Sequence, residues 1–170
     1  MSFNDFQDVI RSKNREIDMW EKYRHESKQT ICIIGVLILS VKLCKADGHF
    51  NTQEEDEILK IIPHESQQKH ILKKIIAEAD KDINPIEHDA INLKSLLKDE
   101  YPEFLEFIIA VLYRLAHSDN VYSQREDDDI REVAKIFDIQ KNIPEKILEF
   151  FVKNFNKIKI SIFRKEKANA

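Results

Sequence analysis

The chain has 170 residues, 42% hydrophobic and 34% charged, with a formal net charge of −4, an apolar content that builds a core and argues against disorder. Its two glycines, Gly35 and Gly48, and four prolines exclude a Walker A loop, a dinucleotide fingerprint and a Gly-x-Ser-x-Gly elbow, and leave little turn chemistry for a many-stranded sheet. Residues 141–170 carry eight Lys/Arg against three Asp/Glu, so the first 140 hold −9, an acidic body unsuited to general nucleic-acid binding.

In chain order, residues 3–25 place Phe3, Phe6, Ile10, Ile17, Trp20 and Tyr23 near one face of a helix with a weak centre around Lys13. Residues 29–45 form the next helix. Its stretch 30–41 is uncharged but far shorter than the roughly 20 residues of a membrane span, so it reads as a buried core helix. Cys32 and Cys44 fall on this helix, about 18 Å apart along its axis, and cannot pair there. With the opening MSFNDFQDVI lacking a basic-then-apolar leader, the expected compartment is the reducing cytoplasm.

A helix over 53–62 is stopped by Pro63, and 67–79 shows Ile71, Leu72, Ile75, Ile76 and Ala79 at helical spacing. Asn84-Pro85-Ile86-Glu87 reads as a helix start, with Asn84 capping, Pro85 in the first position and Glu87 reaching back, and that helix runs to Lys98. Pro102 opens a nearly apolar helix through Leu115, and helices over 124–137 and 144–156 follow. Residues 157–163 alternate charged and apolar, as in a short strand or a frayed helical extension. No composition break marks a linker. The expectation is one all-α domain, a bundle of about 7–9 helices: an N-terminal helix in 1–25, the central domain 26–140, and a basic, apolar-rich C-terminal helix and tail, 141–170, packing on the same domain. The run Phe150, Phe151, Val152, Phe155, Ile158, Ile160, Ile162 and Phe163 reads as core or as a partner surface with basic rims, at a membrane surface or on the acidic body.

A shift of 72 residues lays 36–58 over 108–130. Leu43, Asp47, Glu54, Asp56 and Ile58 then match Leu115, Asp119, Glu126, Asp128 and Ile130, while Lys42/Arg114, Phe50/Tyr122 and Asn51/Ser123 match in kind. The chain reads as two pseudo-repeated helix-loop-helix units.

The elements of that repeat are an apolar helix, then Lys45-Ala46-Asp47-Gly48, an aromatic, a capping residue, and Glu54 seven beyond the Asp, recurring as Asp119 and Glu126. Over roughly residues 30–140 this resembles the TerB-like family, which includes bacterial tellurite-resistance proteins and the N-terminal domain of a membrane-anchored DnaJ-type co-chaperone. Asn120 departs from the family's Gly, though Asn tolerates the left-handed conformation. The resemblance implies an all-helical bundle, no established catalysis, a role in stress or metal-related responses, and acids that bind divalent cations, calcium first.

The acids also have a purely structural explanation. Asn51-x-x-Glu54 and Ser123-x-x-Glu126 have capping-box form, and the acids after them suit a helix start. Asp47 and Asp119 stand outside the caps. A hard cation wants six to eight oxygens, and the candidate ligands are Asp47, Glu54, Asp119 and Glu126, with Ca²⁺ the first choice. The loop is no EF-hand, because counting from Asp47 puts Gln53 at position seven and Ile58 at twelve. Zinc is disfavoured: His25, His49, His64, His70, His88 and His117 form no His-x-x-x-His pair, and His49 and His117 read as solvated loop histidines. Cys32 and Cys44 lie in apolar helices, where inert thiols are the default, and no catalytic residue is assigned. Three readings stay open: a non-enzymatic stress-response module binding a divalent metal and another protein, a metal-independent interaction domain like that of the co-chaperone, and an uncharacterised hydrolase. A His-Pro-Asp triplet is missing, so the chain cannot itself act as a J-domain.

Overall fold

The computed structural model describes residues 18–47, 50–62, 64–97, 102–117 and 123–139. These fold into seven helices and, among the described residues, no strand: α1 (Met19–Tyr23), α2 (Lys28–Cys44), α3 (Thr52–Ile61), α4 (Lys69–Lys81), α5 (Ile86–Leu97), α6 (Pro102–Ala116) and α7 (Gln124–Ile136). Short 3-10 turns, Lys45–Asp47 and Ser66–Gln68, follow α2 and precede α4. The part of the expected N-terminal helix before residue 18 and the expected C-terminal helix and tail, 141–170, lie outside the described residues.

The uncharged run makes α2 the axis of the bundle. Every residue from Thr30 to Val41 is buried, and α2 packs against α3, α4, α5, α6 and α7. Such a helix has no polar face to turn outward, so neighbours must surround it. The second apolar helix, α6, is buried through Phe107, Ile108, Ile109, Val111 and Leu112. At roughly 1.5–3 kcal/mol for each large side chain removed from water, these two helices supply much of the driving force. Contacts are reciprocal: α3, which follows α2, touches α6, and α7, which follows α6, touches α2.

Gly35 sets how closely two of these helices approach. A Cβ at this position would stand 2.5 Å from Leu93 Cδ2 and 2.8 Å from Leu93 Cδ1, so any side chain here would displace that of Leu93 on α5. Termini are fixed locally. Ile62, which precedes Pro63, leaves α3 at φ −92 and ψ 113, in the extended region that a following proline imposes. α7 ends in a Schellman turn: Asp138 takes φ 58, Asp138 N donates to Lys135 O at 3.1 Å and Ile139 N to Ala134 O at 2.9 Å.

One helix start differs from the expectation. Asn84 does not cap α5; its amide N and its Nδ2 donate to Asp82 Oδ1 at 3.0 and 2.9 Å, and the helix begins at Ile86. Asp82 thus holds Asn84 through two donors, the charged acceptor strengthening both bonds.

Candidate functional site

The acidic helix starts are well-built caps. At α3, Asn51 Oδ1 accepts from Glu54 N at 2.9 Å while Glu54 Oε2 accepts from Asn51 N at 3.0 Å, closing the box. At α7, Ser123 Oγ accepts from Glu126 N at 3.1 Å and donates to Glu126 Oε1 at 3.1 Å. In this second cap the serine hydroxyl bonds both the amide and the carboxylate of Glu126. Both glutamates thus hold one oxygen in local hydrogen bonding, and Glu54 Oε1 has no hydrogen-bond partner among the described residues.

Of the four candidate ligands, Glu54 and Glu126 occupy the first turns of α3 and α7. Asp47 closes the 3-10 turn after α2, and Asp119 lies outside the described residues. That turn packs against α7, so the backbone of the first unit's loop reaches the helix that carries Glu126. α3 and α7 share no comparable packing. Among the described residues no three His, Cys, Asp or Glu side chains converge as a metal-binding group. By chemistry the donors fit a hard cation, being carboxylate oxygens, although the positive helix ends at Glu54 and Glu126 favour the carboxylates rather than the ion.

The other acids of α7 are placed unevenly. Asp127 is buried and pairs with Arg131 Nε at 2.6 Å. Gln124 Nε2 donates to Asp128 Oδ1 at 2.8 Å. Burial pushes the Asp129 carboxyl up from its ordinary range, and Glu87 at the start of α5 pushes it further. Burial also raises the Tyr113 hydroxyl, with Asp127 adding to it. His117 is exposed, its Nδ1 donating to Tyr113 O at 2.7 Å; His49 lies outside the described residues. The Cys32 thiol is fully buried and pushed far up by desolvation, the opposite of an activated nucleophile.

Sequence reasoning missed a second constellation. Lys42 Nζ stands 3.2 Å from Asp82 Oδ2 and 3.0 Å from Asp89 Oδ2 and also donates to Asn84 O. The three side chains are 7%, 4% and 0% exposed. Trp20 Nε1 donates to Asp89 Oδ1 at 2.8 Å. Burial raises the Asp89 carboxyl, against the opposing pull of Trp20 and Lys42. A signal was present: Lys42 directly follows the uncharged run, and a cation on a buried helix requires a partner. Asp89 likewise sits among Ile86, Ala90 and Leu93 on the core face of α5. Arg114, which matches Lys42 at the 72-residue shift, is exposed instead.

The family model for tellurite resistance protein TerB matches residues 34–147, more than half of the chain. No curated protein and no solved structure matches it. Among the described residues no helix is long and apolar enough to cross a membrane.

Proposed function

The chain belongs to the TerB family, and from that premise we propose that it is a non-enzymatic stress-response module whose acidic helix starts hold a divalent cation and which acts by binding another protein in the cytoplasm. The observation that supports this is the approach of the Asp47 turn to α7, the helix that begins with the Glu126 cap. Asp47, Glu54, Asp119 and Glu126 would hold the cation, supplying carboxylate oxygens suited to Ca²⁺ ahead of softer metals. The ion would offset the repulsion among acids in a body of net charge −9.

A metal-independent interaction domain is the second reading. It is favoured by the caps themselves, since Glu54 and Glu126 each already bond to a residue at their own helix start. Calorimetric titration of the full chain with Ca²⁺, Mg²⁺, Mn²⁺ and Zn²⁺ separates the two. Saturable heat with Ca²⁺, lost on Asp47→Asn combined with Asp119→Asn, supports the cation reading. Flat titrations with all four ions leave the metal-independent domain.

A further inference from the structure

The helix α1 lies ahead of the family-matched stretch, yet its indole is bonded inside it. Met19, Trp20 and Tyr23 are 3%, 3% and 4% exposed. Even so, α1 has the least backbone packing against other helices among the described ones. Side chains hold it: Trp20 to Asp89, and at its other edge Lys22 Nζ and Tyr23 Oη to the Glu78 carboxylate at 3.0 and 3.3 Å. Beneath it lies the set of Lys42, Asp82 and Asp89, one cation against two carboxylates.

We propose that α1 is a proton-coupled strap, closing over the Lys42–Asp82–Asp89 set when that set takes up one proton and loosening when the set is fully ionised. Fully ionised, the set carries one uncompensated negative charge, and burying such a charge is costly. Closure of the strap removes water from it. One proton on Asp89 makes the set neutral, so closure and proton uptake favour each other. The raised Asp89 carboxyl has the same sign, burial being its largest cause.

The groups that face Asp89 are Lys42 from α2, Asp82 from the end of α4 and the Trp20 indole from α1. On the other flank of α5, Asp129 and Asp138 meet Glu87 and Lys94. From α6 the buried side chains are apolar, with Glu106 half-buried and Glu103 and Arg114 exposed. His25, in the turn after α1, is exposed.

Trp20 is the single tryptophan of the chain, so its emission reports on the strap alone. The test is acrylamide quenching of Trp20 in the full chain from acid to alkaline pH across the folded range, with far-UV circular dichroism alongside to mark that range. The expected result is a several-fold rise in quenching as pH increases, with unchanged helicity. Asp89→Asn and Asp82→Asn each remove the excess charge, and each should leave Trp20 protected at every pH. Quenching that is flat with pH in the native chain overturns the proposal. So does a transition that survives both substitutions, which would belong to His25 or another group, or one that coincides with loss of helicity.

Discussion

Lys42 on α2 and Asp89 on α5 meet 3.0 Å apart in the core, and Asp89 has no exposed side-chain surface. The pair is not isolated, because Asp82 adds a second carboxylate to the same ammonium. Such a set joins α2 to the α4–α5 turn in one register, and through Trp20 it reaches α1 as well. Lys42→Met keeps the stem of the side chain but strands two buried carboxylates. Breaking a buried pair from one side costs about 3–5 kcal/mol, so the unfolding free energy of Lys42→Met, read from denaturant titration, should fall by that much at neutral pH. Protonating Asp89, whose carboxyl burial already raises, should narrow the gap as pH decreases.

Gly35→Ala tests the close approach of α2 and α5. In an open helix the change would gain about 1 kcal/mol of propensity. Here the new methyl meets Leu93 at 2.5 Å, and overpacking of that kind costs about 1–3 kcal/mol. Equilibrium urea unfolding should show net destabilisation, and Gly35→Ala combined with Leu93→Ala should recover part of the packing term.

Much of this bundle was legible in the sequence, for identifiable reasons. The buried helices α2 and α6 follow from their long apolar runs, and the starts of α3 and α7 follow from Asn51 and Ser123 with glutamate three residues on. What could not be read was contact between distant elements. Periodicity places Asp89 on the core face of α5 but does not name Lys42 as its partner, nor Asp82 as the acceptor of the two Asn84 donors. Of the candidate site, the two glutamates and their caps were legible, because capping is local. The approach of the Asp47 turn to α7 was not, since it depends on how two helix pairs pack.

Asn51→Ala and Ser123→Ala should each lower stability by about 0.5–2 kcal/mol through loss of the helix cap. The larger loss is expected at Asn51, where the box is closed on both sides. Chemical denaturation of the two single variants checks this, and Glu54→Gln should be nearly silent because glutamine also completes a box.

Asp129 provides a pH-dependent prediction. Its folded carboxyl is raised, by burial first and then by Glu87, so the folded state binds this proton more tightly than the unfolded chain does. Its contribution to stability is fully present below the unfolded value of about 3.9 and is lost as pH rises through the raised folded value. Asp129→Asn should therefore raise the melting temperature at pH 7, and the difference from the native chain should vanish in acid.

The most direct measurement of the cation reading is the melting temperature of the full chain with and without millimolar Ca²⁺. An ion that binds the folded state stabilises it by RT ln(1 + [L]/Kd), about 2.7 kcal/mol at a hundredfold excess over Kd. A clear upward shift with Ca²⁺ is expected, and it should disappear in the Asp47→Asn, Asp119→Asn double variant while the Asn51 and Ser123 caps keep their contribution. A melting temperature that no divalent ion moves, or a shift that persists undiminished in the double variant, would contradict it.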